Sequence, residues 1–192
     1  MVVVPRESPA LSNLNSYYLK LDKLIEHCQG EMGAGGIFLR SLSAQGVVYF
    51  DADEVLNGYF CGKNTELHGQ AAVEHLVQAD FNHNFTIDIY RLSRDTIYLW
   101  SRTPAAEKVY KDLSTEFTDL DGLIKKMAAE RLDGFIDITI GAAQEGGILF
   151  FGGGDIVGGS FSWGPVHRES VAALRRRLVE KTKKQGGVFQ VC

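Results

Sequence analysis

The sequence predicts an α+β fold, and three observations carry that prediction. Short β-rich runs follow one another with Gly and Asp between them, which favours antiparallel or mixed pairing. Apolar residues at i, i+3, i+4 and i+7 mark amphipathic helices beside those runs. Both patterns occur twice. The chain therefore reads as a tandem duplication of one α-β-β-β-α-β unit, its copies related by a pseudo-two-fold axis like a covalently joined dimer.

The repeat is visible residue by residue. Leu21-Asp22-Lys23-Leu24-Ile25 lies under Leu120-Asp121-Gly122-Leu123-Ile124, an offset of 99. The same offset sets Tyr18 on Phe117, Gly35 on Gly134 and Ile37 on Ile136. After a two-residue insertion, Gly46-Val47-Val48-Tyr49-Phe50 lies on Gly147-Ile148-Leu149-Phe150-Phe151, Gly58 on Gly159 and Phe60 on Phe161. Blocks in the same order, with the insertion in a turn, point to one pattern written twice.

Residues 1–14 read as an N-terminal extension, 15–102 as the first repeat, 103–114 as a linker and 115–192 as the second repeat. Leu21, Leu24, Ile25 and Cys28 form the first helical stripe, and Leu120, Leu123, Ile124 and Met127 its counterpart, with Ser16 and Thr115 upstream as caps. Strands are predicted over 36–42, 46–51 and 54–60, and over 134–140, 147–152 and 155–161. Second helices follow near 65–79 and 166–184, then closing strands near 84–91 and 187–191. The run Ile97-Tyr98-Leu99-Trp100 has no counterpart in the second copy and reads as an added strand over 96–101.

Composition supports a folded chain: 192 residues, 45% hydrophobic, 23% charged and a net charge of −4. That length allows one ordinary domain or two small ones. No apolar stretch is long enough for a transmembrane helix, and Met1–Pro5 is too short for a secretory leader. Three cysteines do not make a disulfide scaffold. The expectation is a reduced, cytoplasmic, bacterial-style setting.

The blocks carry a resemblance. A Leu-rich helix precedes Gly-Ile/Phe-x-Leu, then Gly-Val-Val-Tyr-Phe with an Asp/Gly turn and a small-residue strand, then a helix and a Phe strand. This pattern resembles the PATAN-type domain, a bacterial signalling-associated domain of unknown function. Gly147–Phe151 followed by Gly154-Asp155-Ile156-Val157-Gly158-Gly159 is the better match. The first copy departs at Asp51-Ala52-Asp53 and at the bulky Tyr59. The resemblance implies a non-catalytic interaction module whose partner is a response regulator or another signalling protein. It supplies no catalytic residue.

The chemistry-bearing candidates point the same way. Gly152-Gly153-Gly154-Asp155 is glycine-rich, and consecutive glycine amides can cradle an anion. This hairpin is the alternative reading: a small-ligand or nucleotide sensor. It lacks the Gly-Lys-Ser/Thr ending of a P-loop and sits between strands, where a tight turn is the simpler account. His27, His68, His75, His83 and His167 show no zinc-ligand spacing, so neither metal nor cofactor is expected. His68 and His75, seven apart, would share a helix face if that helix is continuous. Asp51, Asp53 and Glu54 read as a solvated acidic turn. Arg168, Arg175, Arg176, Arg177, Lys181, Lys183 and Lys184 make the last helix basic. A solvated face is the plain reading and an acidic protein partner the functional one; nucleic acid is disfavoured, since Arg175–Arg177 fan around the helix. Tyr98, Trp100, Arg175 and Arg176 are the candidate partner-binding residues, with packing between the copies the favoured reading for Tyr98 and Trp100. A homodimer is compatible with the pattern.

Overall fold

The computed structural model describes residues 2–141, 145–163 and 170–192, the side chains of 79–83 and 171 excepted. It is α+β, and the chain divides into two compact units: Met1–Val4 with Pro9–Ala105, and Pro5–Ser8 with Ala106–Cys192.

The first unit runs β1 (Leu11–Asn15), α1 (Leu21–Met32), β2 (Gly35–Arg40), β3 (Gln45–Phe50), β4 (Val55–Cys61), β5 (Glu66–His68), α2 (Gly69–His83), β6 (Thr86–Arg91) and α3 (Ile97–Arg102). Its sheet has the order β1-β6-β2-β3-β4-β5, every neighbour antiparallel. Strand alternation sends Ile37, Leu39, Val48, Phe50, Ile87 and Ile89 to one face. There they meet Leu21, Leu24, Ile25 and Cys28 of α1 and Ala72, Val73 and Leu76 of α2. Each such Leu, Ile or Phe contributes about 1.5–3 kcal/mol on burial.

The second unit runs β7 (Tyr110–Ser114), α4 (Leu120–Ala129), β8 (Gly134–Ile140), β9 (Glu145–Gly152), β10 (Asp155–Phe161), α5 (Val171–Gln185) and β11 (Gly187–Val191). Its sheet, β10-β9-β8-β11-β7, is also antiparallel throughout. Leu120, Leu123, Ile124 and Met127 of α4, with Leu174 and Leu178 of α5, cover Ile136, Ile138, Leu149, Phe151 and Phe189.

Read from its other edge, the second sheet repeats the first: β7-β11-β8-β9-β10 against β1-β6-β2-β3-β4. The irregularities repeat too. Asn13 and Asp112 stand at the same offset of 99, both left-handed, at φ 57° and 53°, within the bulges of β1 and β7. Asn and Asp tolerate that conformation best among residues with a side chain. A bulge in an edge strand also blunts edge-to-edge pairing. The register of β4 slips at Leu56 and that of β10 at Val157, again equivalent positions.

Several sequence expectations are corrected. Residues 96–101 form no strand: Ile97–Arg102 is the helix α3, with Ile97, Trp100 and Ser101 buried. A short apolar run has no period long enough to separate strand from helix. The stretch 103–114 is not simply a linker, because Tyr110–Ser114 is the edge strand β7. The first fourteen residues are not a plain extension either, since β1 begins at Leu11 and Pro5–Ser8 belong to the second unit. Ser16 and Thr115 do not cap helices. Their hydroxyls accept the N–H groups of Phe85 (2.9 Å) and Gly187 (3.0 Å), pinning the entry of the closing strands. Asp119 caps α4 instead, accepting from Gly122 N at 2.7 Å. The second helices start at Gly69 and Val171; the expected 166–169 portion lies outside the described residues.

Arg6 anchors the Pro5–Ser8 segment. Its backbone N–H donates to Ser160 Oγ at 3.0 Å, and its guanidinium meets Asp137 Oδ1 at 2.6 Å. Asp137 has a side-chain exposure of only 14%. Arg6→Met strands that carboxylate, and an expected loss of about 1–3 kcal/mol follows from an unsatisfied buried acceptor. Urea denaturation checks it; an unchanged midpoint contradicts it.

Candidate functional site

Four residues singled out in the sequence come together in the second unit. Gly154, Asp155, Arg175 and Arg176 line one groove of about 840 Å³, between α4, α5 and the start of β10. Its floor is apolar or small: Ile124, Ala128, Ile156, Ala172 and Val179. The periodicity of α4 and α5 dictates this. Leu123 and Met127, like Leu174 and Leu178, point into the core, and the residues beside those stripes turn toward the gap between the helices.

The rim is charged. Arg175 donates to Asp121 at 2.7 Å, and Lys125 pairs with the same carboxylate at 2.7 Å. Hydrogen bonds from Lys125 first and Arg175 second hold the Asp121 carboxyl below its ordinary range. Arg176, Asp155 and Glu180 complete the rim, and none has an ion-pair partner among the described residues.

The glycine-rich hairpin has a structural task here. Gly153 and Gly154 adopt φ of 58° and 90°, as a tight hairpin turn requires. Their amides are already committed. Gly153 N donates to Asp133 Oδ1 at 2.6 Å and Gly154 N to the Leu132 carbonyl at 3.0 Å. Neither is left to receive an anion, and the Asp133 carboxylate adds a repulsive charge. A Cβ on Gly154 would lie 2.8 Å from the Met127 carbonyl oxygen and 2.9 Å from Ala128 Cα, whereas one on Gly153 would meet nothing. Gly153→Ala is expected to cost about 1–2 kcal/mol for the left-handed backbone. Gly154→Ala should cost a further 1–3 kcal/mol, roughly, for overpacking. Equal urea midpoints for the two variants would refute this.

In the first unit the corresponding helix and hairpin make different contacts. Val73 of α2 packs on β4, its Cγ2 at 2.5 Å from where a Gly58 Cβ would stand, and Leu76 covers Gly46 in the same way at 2.7 Å. Gln29 of α1 donates to the Asp51 carbonyl at 3.0 Å, tying helix to hairpin. In the second unit Gly147 and Gly159 are covered by the Phe161 ring instead, at 2.7 and 2.8 Å from the ideal Cβ positions. Trp163 stacks beside Phe161 with centroids 5.7 Å apart, and Arg177 and Lys181 of α5 lie over its ring at 4.9 and 5.0 Å. Thus α2 lies along β4, while α5 lies over β8. At the offset of 99 Ala128 corresponds to Gln29, and counted from the helix starts at Gly69 and Val171 Arg175 corresponds to Val73.

The other candidates fall elsewhere. Trp100 is 1% exposed and offers a partner no surface. Its neighbour Tyr98 is 55% exposed and donates its hydroxyl to Asp51 Oδ2 at 3.1 Å. Backbone hydrogen bonds from Glu54 and Asp53 hold the Asp51 carboxyl low, so the acidic turn is a self-capped loop. His68 ends β5 and precedes α2, so it shares no helix face with His75; each packs on an aromatic ring, Tyr59 and Phe60 respectively. Gly152 faces Asp155 across the turn. Burial raises the Cys28 thiol, as befits a core residue. His167 and Arg168, and the side chain of His83, lie outside the described residues. Among those residues, no three His, Cys, Asp or Glu side chains gather as a metal site, and no helix is long and apolar enough to cross a membrane.

Sequence reasoning missed the groove itself. A signal existed: the fifth residue of α2 is the core valine Val73, and the fifth residue of α5 is Arg175.

No family model, curated protein or solved structure matches the chain.

Proposed function

We propose that this chain is a non-catalytic interaction module of bacterial signalling: two PATAN-like units of common origin that work in the cytoplasm by docking a protein partner, a response regulator being the type the resemblance suggests. The groove between α4 and α5 carries the reading. An open apolar floor with a charged, partly ion-paired rim suits recognition of a surface, since it supplies area for burial and charges for register. The repeated topology of the two units supports a common origin.

The test is affinity capture from native extract with the wild-type chain and an Arg175→Glu/Arg176→Glu variant. At least one protein retained in stoichiometric amount by the wild type should be lost from the variant. Retention of every partner by both, or capture of none, rejects docking through this groove.

A further inference from the structure

We propose that the second unit holds a small-molecule site that takes a compact hydrophobe of about ten non-hydrogen atoms, an aryl ring or branched aliphatic group on a short chain. The site is a cavity of about 250 Å³ lined by α4, the turn after it, and β7, β8 and β11. It shares no lining residue with the α4–α5 groove, so it is independent of the docking reading.

The end of α4 shapes the cavity. Met32 closes α1 and packs against the first core. At the offset of 99 its counterpart is Arg131, but α4 stops at Ala129. Arg131 is left-handed, at φ 51°, and exposed. Position 131 therefore delivers no apolar side chain beneath the end of α4.

The walls select the ligand. Leu123, Met127, Ile136 and Val191 are buried and form the floor. The backbone around them is already paired. Leu132 N donates to the Met127 carbonyl at 3.0 Å, Val109 N donates to the Val191 carbonyl at 2.9 Å, and Phe135 and Cys192 exchange two hydrogen bonds. Among the described residues, the unpartnered buried side-chain atoms are Arg6 Nε and Trp163 Nε1, and neither residue lines the cavity. A buried water needs about two to four polar partners, and an inserted peptide needs its amides satisfied. A small apolar molecule needs neither. A dry apolar cavity of about 150 Å³ binds benzene, so this larger one takes a ring with a short chain.

The mouth agrees with the floor. Val109, Tyr110 and Leu132 line it while 63%, 39% and 37% exposed. Apolar side chains held in water around one opening mark a ligand site. Lys126 donates to Tyr110 Oη at 3.1 Å, which keeps its charge at the rim, beside the polar end of the ligand.

The experiment uses phenylpropanol, an uncharged ring with a short chain and one hydroxyl, titrated into the full chain labelled at its methionine methyls. Saturable binding is expected, with a Kd of about 1 mM or tighter. The Met127 methyl resonance should move along that curve, and the Met32 methyl should stay still. Leu123→Phe adds volume at the floor and Val109→Glu a charge at the mouth; each should weaken binding by about fivefold or more. No saturable shift of Met127 up to about 10 mM probe overturns the inference, as does an equal shift of Met32. Wild-type affinity in Val109→Glu overturns it too, and that variant changes an exposed residue, so the test holds even where Leu123→Phe does not fold.

Discussion

Trp100→Ala is expected to destabilise the first unit by about 3–5 kcal/mol, the range for truncating a fully buried aromatic. Trp100 is among the largest fully buried side chains in the molecule. Its helix packs on β3 and β4, and its carbonyl accepts the Thr103 hydroxyl at 2.8 Å, while that hydroxyl lies 3.3 Å from Tyr49 Oη. Truncation leaves a void beside this buried polar pair. With a urea slope of about 1–3 kcal/mol per molar, the loss moves the midpoint of the first unit's transition by more than about 1 M. Far-UV circular dichroism reads that shift. Tyr98→Ala, two residues away, removes an exposed ring and a surface hydrogen bond, and should change stability by less than about 1 kcal/mol. Similar midpoints for the two variants would show that Trp100 is not the core residue described.

The contrast between Tyr98 and Trp100 shows where sequence reading works here and where it stops. The helical stripes and the main strands along the chain were legible, because both depend on apolar periods set by the backbone. Leu21, Leu24, Ile25 and Cys28 are buried as their spacing requires, and so are Leu120, Leu123, Ile124 and Met127. Three kinds of element were not legible. The edge strands β1 and β7 are short and largely solvent-exposed, so Tyr110-Lys111-Asp112-Leu113-Ser114 reads as a linker. The helix α3 has six residues, fewer than two turns, and offers no period to read. The groove's surroundings include a ring, Phe161, whose direction the sequence does not give. Phe60 and Phe161 align in sequence, yet only Phe161 lies over its two glycines. Side-chain direction at a matched position is a property of packing, which residue type alone does not specify. Arg175 and Ala128 at the positions matching Val73 and Gln29 are traces of it in the sequence.

Phe161→Ala is the second large effect. The ring is 2% exposed, covers Gly147 and Gly159, and stacks on Trp163. Its removal should cost about 3–5 kcal/mol, lowered to the extent that the site collapses. Collapse has a definite direction here. Leu174 and Leu178 of α5 already pack in the same cluster as Phe161, and the bare glycines would accept them as Gly46 and Gly58 accept Leu76 and Val73. The variant therefore couples two observables. Stability of the second unit falls, read by denaturation through Trp163, its one tryptophan. The groove narrows as α5 settles toward β9 and β10, so the folded variant should retain less of any protein whose capture from native extract depends on Arg175 and Arg176. Phe161→Leu keeps most of the volume and should retain both properties more nearly. A folded Phe161→Ala chain that retains such a protein at the wild-type level would mean that the ring does not hold α5 off β10, and that the open groove has some other origin.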